Sequence, residues 1–406
     1  MKNIIVYGSG FAALVISCAL QKLGYNTYLV SNQKNIGGVL NPISIFGREA
    51  DIGPQFLENL TKKEFEFLLR FLPQNEYKNI GISYGSFFNN RLSSEFCLPI
   101  LTHLSDNQKK NLINSAIALK ESKDSEYTLE GFLEKKYGAL GDLYIKLARK
   151  FLINDLNQLS KENYTYLEFG GRLRLYDDEQ TMSLRKKDIR LDKLLAASRK
   201  TIHGRSHSLY PRKGNIGKVI VDLLKFYSNS GGCVGKNTSP IDFKNSKIMF
   251  NGESTRYDKI FIVSNYDQVI DNYDENIVNR ACLFHYFLLE NKVSLDHYYY
   301  SNFDPKMKHT RATLYSNYQA PMHGGGHLIC IEQPVIQDFD RIYNPESEGK
   351  LVLKEYQEAT GMELKSQMQK SLFAKKTLPL WKTSALTAVR TKLLELEDVY
   401  DNVVCI

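Results

Sequence analysis

Two glycines separated by one residue, set directly after a short apolar run at the start of the chain, restrict the possible folds more than any other feature. Residues 4–38 read IIVYGSGFAALVISCALQKLGYNTYLVSNQKNIGG. Ile4, Ile5, Val6 and Tyr7 suit a strand buried on both faces, and Gly8-Ser9-Gly10-Phe11-Ala12-Ala13 fits the pattern G-x-G-x-x-A. An apolar helix then runs to Gly24, a residue suited to closing a helix, and a second strand is predicted at Thr27 to Val30. Gly8 permits the tight turn out of the strand, and Gly10 lets the backbone come close to a pyrophosphate. Small Ala13 lets the helix lie tight on the strand, so that the N–H groups around Phe11 and Ala12 face an anion. The spacing predicts a β-turn-α-β unit of Rossmann type built around a dinucleotide phosphate.

The residues after the second strand extend this reading. Gly37-Gly38 begins seven residues after Val30, and after a short hairpin-like piece the chain reads Ala50-Asp51-Ile52-Gly53-Pro54-Gln55-Phe56. In these segments the chain resembles the FAD-dependent flavoproteins of the amine oxidase and protoporphyrinogen oxidase superfamily, which also holds phytoene desaturases and UDP-galactopyranose mutase. Three later stretches are similar to that superfamily as well. They are Ser208 to Gly217 followed by the helix VIVDLLKFYSNSGG, Asn237 to Ile241 followed by a hairpin and a core strand, and LPLWKTSAL through NVVCI.

The resemblance implies non-covalently held FAD. It sets Gly8, Gly10, Phe11, Ala12, Ala13, Gly37 and Gly38 along the pyrophosphate and ribityl chain. Gly53 and Gln55 would then stand near the flavin ring, Ser31 and Asn32 at the adenosine ribose, and the backbone at Ile241 near the adenine. Three positions depart from the superfamily pattern. Ser31 replaces the acidic residue that would hold the ribose hydroxyls through charge-assisted bonds. Val39 replaces an arginine, and Gln55 stands where the mutase has a histidine. The likeness ends at Val404-Cys405-Ile406, where the superfamily continues into a glycine-acid segment and a last helix.

At 406 residues the chain suits two domains. The expected fold class is α/β: a Rossmann-type FAD-binding domain at 1–90, 205–280 and 375–406, interleaved with a substrate domain at 91–204 and 281–374 made of a helical insertion and an antiparallel sheet. Thr61-x-x-Glu64, Ser105-x-x-Gln108 and Thr128 mark helix starts, so 61 to about 203 reads as mainly helical with an irregular passage at Asn89 to Pro99. Apolar and aromatic runs at 281–290, 297–302, 312–321 and 327–334 read as strands, and helix is expected again at about 346 to 373.

The net charge of +8 is modest, and much of it gathers between Arg185 and Lys218. That run suits a solvated face, the rim of an anion site, or a nucleic-acid or anionic-membrane surface. No zinc-finger, RRM or helix-turn-helix signature supports nucleic acid as a partner. The six cysteines, at 18, 97, 233, 282, 330 and 405, show no C-x-x-C spacing, and Cys18 and Cys330 read as core thiols in a reducing compartment. With no apolar segment of spanning length and an N-terminal apolar run broken at Gly8, a cytoplasmic protein is expected.

No catalytic residue is readable by spacing. The histidines at 203 and 207 and the HGGGH run at 323–327 read as surface residues around a glycine turn, so no metal site is expected. Arg311 heads a strand and carries a guanidinium fork suited to a phosphorylated or carboxylated substrate, or to a neighbouring carboxylate. Tyr315 and Tyr318 are expected on strand faces lining the pocket. The reading favoured is an FAD-dependent oxidoreductase that oxidises or desaturates a small organic substrate by hydride transfer, with Arg311 and the basic run suggesting an anion. A redox-neutral UDP-sugar mutase-like enzyme and a catalytically inactive flavoprotein-like binding protein stand as alternatives, and the oligomeric state is open.

Overall fold

In the computed structural model the described residues are 2–81, 83–93, 98–121, 128–167, 172–197, 207–237, 239–263, 266, 270, 273–319, 326–335, 344–383 and 385–406. Contacts divide the chain into two compact units, residues 1–82, 205–276 and 387–406, and residues 83–204 and 277–386.

The first unit is built on a five-stranded parallel sheet. Its strand order is Cys233–Lys236, β2 (Asn26–Ser31), β1 (Asn3–Tyr7), Lys259–Ile262, Val403–Cys405. Ile4 to Tyr7 are buried, as the unbroken apolar run requires of a central parallel strand. The helix α1 (Phe11–Lys22) joins β1 to β2 and packs against the helix Gly217–Asn229, where the Cys18 thiol donates to the Leu223 carbonyl at 3.5 Å. Burial pushes the Cys18 thiol up to about 12, so it behaves as an inert core group.

Two hairpins of this unit turn on paired left-handed residues. Phe46 and Gly47 join Ile43–Ile45 to Arg48–Ala50, and Asn251 and Gly252 join Lys247–Phe250 to Glu253–Arg256. The expected capping box is present: the Thr61 hydroxyl accepts from Glu64 N–H and the Glu64 carboxylate accepts from Thr61 N–H.

The second unit holds a seven-stranded sheet in the order Ser366–Trp381, Ile277–Leu289, His327–Val335, Arg311–Leu314, Tyr299–Asn302, Tyr84–Phe88, Arg91–Ser93. All neighbours are antiparallel except Tyr84–Phe88, which runs parallel to Tyr299–Asn302. A separate apolar core gathers the helices Asp106–Glu121, Leu129–Tyr137, Gly141–Phe151 and Ile189–Leu194, with the Tyr137 and Tyr144 rings stacked at 3.4 Å. Thr128 caps its helix by accepting from Gly131 N–H, and that helix stops at Gly138, as its residues indicate.

The structure corrects several expectations. The helix expected to 373 ends at Thr360, because Gly361 adopts the left-handed conformation that closes helices. Ser366–Trp381 is instead a strand whose pairing with Ile277–Leu289 outweighs its local preference. The boundary expected at 374/375 therefore falls at 386/387, and the sheet strand begins at Ile277 rather than 281. The boundary expected at 90/91 falls at 82/83, since Tyr84–Phe88 and Arg91–Ser93 form a hairpin of the second unit's sheet. Part of the passage read as irregular, Asn89 to Pro99, is thus a two-residue turn in which Asn89 and Asn90 both take the left-handed conformation that asparagine tolerates. The region from 61 is also less helical than expected, with a strand at Tyr77–Asn79.

Candidate functional site

The glycine turn lies at the carboxyl ends of β1 and β2. Gly8 N–H donates to the Val30 carbonyl at 2.9 Å, and a Cβ on Gly8 would stand 2.2 Å from the Val263 carbonyl oxygen and 3.1 Å from the Ala13 Cβ. Gly8 and the fully buried Ala13 are therefore fixed by packing between strand, helix and neighbouring strand. Gly10 is different. It opens α1 without any side-chain cap, no acidic residue sits in the first turn, and a Cβ there would meet nothing within 4 Å. Open space thus adjoins the amide-bearing end of a 12-residue helix, beside Phe11 and Ala12.

The paired glycines close on the same turn. Gly37 N–H donates to the Ser9 carbonyl at 2.7 Å, Gly10 and Gly37 form an isolated parallel bridge, and a Cβ on Gly38 would approach the Gly10 Cα at 3.7 Å. Gly37 has φ of 121°, and a side chain there would meet the Asn41 Oδ1 at 2.6 Å, so only glycine fits.

β2 ends at Ser31, which is 1% exposed. Its hydroxyl accepts from Gln33 N–H at 2.9 Å, and its carbonyl accepts from Asn237 N–H at 3.1 Å. Ser31 therefore ties the segment leading to Ile241 onto the strand end, beside half-buried Asn32. The Ile241 side chain is 7% exposed and packs in the core with Ile5, Val30 and Ile260. Val39 is 64% exposed.

Asp51 does work that its sequence context did not reveal. The carboxylate is 1% exposed, accepts from the Tyr210 hydroxyl at 2.7 Å, and accepts from Ile216 N–H at 2.9 Å at the start of the Gly217–Asn229 helix. The signal available was that this apolar helix opens with Asn-Ile-Gly and no acid of its own. Gly53 follows with φ of 67°, and Gln55 turns its amide onto the Ile52 carbonyl at 2.9 Å. Asp51→Ala is expected to lower unfolding free energy by about 2–4 kcal/mol, since two buried donors lose their acceptor. Denaturant unfolding of the variant measures this, and a change under about 0.5 kcal/mol, the range of an ordinary surface substitution, would refute it.

In the second unit the expected substrate residues are otherwise engaged. Arg311 faces Glu332 across the Arg311–Leu314 and His327–Val335 pair, with Nε–Oε1 and Nη2–Oε2 both at 2.9 Å. Glu332 is 1% exposed, so this fork neutralises a buried carboxylate. Tyr315 and Tyr318, 1% and 2% exposed, lie in and just after a 3-10 turn at Tyr315–Asn317 rather than on a strand face. His327 contacts the Ser316 hydroxyl at 3.0 Å, while His203 and His323 lie outside the described residues. Among the described residues no group of three or more His, Cys, Asp or Glu is placed to hold a metal, and no helix is long and apolar enough to cross a membrane.

The parallel nucleotide-type sheet and the largely antiparallel second sheet define the fold of the amine oxidase and protoporphyrinogen oxidase type. The chain is similar to the crystal structure of reduced UDP-galactopyranose mutase, with a TM-score of 0.69 and 13% identity over 100% of this chain and 89% of that one. It is also similar to a putative protoporphyrinogen oxidase from Exiguobacterium sp. 255-15, with a TM-score of 0.64 and 12% identity over 100% of this chain and 93% of that one. A redesigned putrescine oxidase gives a TM-score of 0.61 and 9% identity over 100% of this chain and 92% of that one. No family model and no curated protein matches the sequence.

Proposed function

We propose that the protein is an FAD-dependent oxidoreductase that oxidises or desaturates a small organic substrate. The observation that carries this reading is the Gly10 turn. An uncapped helix start borders open space, Gly37 is bonded against it in a conformation that only glycine fits, and Gly38 lies beside the Gly10 Cα. The residues present fit a pyrophosphate at this end. At the ribose end Ser31 offers a neutral hydroxyl, already accepting from Gln33 N–H, where the fold's usual acid would form charged bonds.

Bound FAD would supply the acceptor for a hydride leaving the substrate. The protein's own contribution is positional: Gly8 and Ala13 set the helix against β1, Gly10 leaves room for the phosphates, and Ser31 with Asn237 holds the adenosine side of the sheet together. Asp51 fixes the Gly53–Gln55 loop to the start of the Gly217–Asn229 helix.

The purified protein is expected to be yellow, or to become so after dialysis against FAD, and to bleach on anaerobic reduction and recover with oxygen or an acceptor dye. Failure to take up flavin would overturn the reading and favour a binding protein of flavoprotein-like fold. Activity on a sugar nucleotide only after pre-reduction, with no net oxidation, would favour a redox-neutral reaction. The fold likeness to the mutase motivates that comparison, and Gln55 in place of its histidine argues against it.

A further inference from the structure

We propose that the second unit carries its own binding site for a small organic anion with a planar ring, in a cavity of about 760 Å³ lined by the Asn89–Asn90 hairpin, residues 100–109 and residues 174–180. The walls are tied to one another by one backbone and one side-chain hydrogen bond. Leu101 N–H donates to the Arg174 carbonyl at 2.9 Å within an isolated parallel bridge of Ile100 with Arg174, and the Ser86 hydroxyl donates to the Leu98 carbonyl at 3.4 Å. A cavity held in this way keeps its shape without a ligand.

Its chemistry selects an anion. Arg91, Lys109 and Arg174 line it against the carboxylate of Asp177, which is engaged in capping a helix by accepting from Gln180 N–H at 2.7 Å, while Asp106 lies near the Tyr176 hydroxyl, so three cations face two carboxylates. Arg174 is satisfied by Asp178 at 2.7 Å and forms wall rather than ligand contact. Arg91 and Lys109 make no ion pair among the described residues, so two cations remain for a ligand. The Lys109 ammonium stands 5.1 Å from the centre of the Tyr176 ring, which places positive charge beside an aromatic face; Phe88 adds apolar wall. A ring against Tyr176 with its phosphate or carboxylate between Lys109 and Arg91 satisfies both features. These cations are neither Arg311 nor the basic run at 185–218, and the inference stands independently of flavin binding.

Phenyl phosphate is the probe, titrated calorimetrically into the intact protein at low salt, with inorganic phosphate for comparison. Saturable one-to-one binding is expected, weakening as salt screens the charges. Arg91→Ala with Lys109→Ala should weaken both probes at least about tenfold, the loss of roughly one charge-assisted hydrogen bond. Lys109→Arg should retain binding, and Tyr176→Ala should weaken phenyl phosphate while sparing inorganic phosphate. Arg91 is exposed and Lys109 half-buried, and unchanged circular dichroism would confirm that the double variant folds. Absence of saturable binding to the folded wild type at about 10 mM, weaker than a millimolar site, would overturn the proposal. Binding undiminished in the double variant would do the same.

Discussion

Gly10→Asp is expected to leave the protein folded, with a melting temperature equal to or above that of the wild type, while abolishing its retention of FAD. A side chain at this position enters open space, since nothing lies within 4 Å of its Cβ, and the residue sits at the N-cap of α1 with no capping bond. Aspartate is among the best N-cap residues and, relative to glycine, stabilises a helix start by roughly a few tenths of a kcal/mol. The same carboxylate would occupy the place proposed for the pyrophosphate and face it with like charge. The expected loss of FAD affinity is at least about 100-fold, equivalent to roughly 2.7 kcal/mol. Flavin titration beside a thermal melt tests this, and unaltered FAD affinity in the folded variant would remove the glycine turn as the cofactor site. Gly8→Ala is the contrasting control: its Cβ would stand 2.2 Å from the Val263 carbonyl, so it should lose stability whether or not flavin is present.

The contrast between those two glycines shows what the sequence could reveal. β1, α1 and β2 were legible because their signals are local: an apolar run, a glycine turn, a helix closed near Gly24 and a second run. The pattern could not distinguish Gly8, demanded by the neighbouring strand, from Gly10, whose space is open. Ser366–Trp381 was illegible because its partner, Ile277–Leu289, lies far away in sequence, while the preceding helix offered a continuing local preference. Arg311 looked available for a ligand because Glu332, directly opposite it, is 21 residues away. Asp51 stands in a recognisable motif, yet its role as acceptor for a helix start more than 160 residues later appears only when the loops are brought together. Local capping survives translation into structure, whereas charge satisfaction depends on topology.

Lys150 carries that lesson furthest, and it supplies the other large expected effect: a stability that climbs from pH 7 toward pH 10 through a single side chain. In the sequence RKF, Lys150 looks like one more helix-end cation, yet it is 7% exposed and donates to the carbonyls of Asn302 and Asp304, both at 2.8 Å. Burial pulls its ammonium down to about 7 from an ordinary 10.5, and the nearby charges of Asp304 and Glu355 only partly offset this. His309, buried beside Glu355 at 3.1 Å, is likewise lowered chiefly by burial, so it adds no second cation that would raise the cost of the site further. The sign follows from proton binding. Between pH 7 and 10.5 the unfolded chain holds the Lys150 proton more tightly than the folded one, so unfolding free energy rises with pH across that window. The full cost of the buried charge is present below about pH 7. A neutral amine still has two N–H bonds for its two carbonyls, so deprotonation relieves desolvation without breaking either hydrogen bond. At about 1.36 kcal/mol per pH unit, the relief between pH 7 and 9 is on the order of 2–3 kcal/mol. Buried Tyr137 and Tyr144, both raised chiefly by burial, pull stability the other way above pH 10, which confines the useful window to lower pH. Lys150→Met removes the titrating group while keeping the apolar stem, so the difference in melting temperature between wild type and variant should shift by several degrees in favour of the wild type from pH 7 to 9. A difference that stays constant over that range would show that the ammonium is not being held neutral by its surroundings.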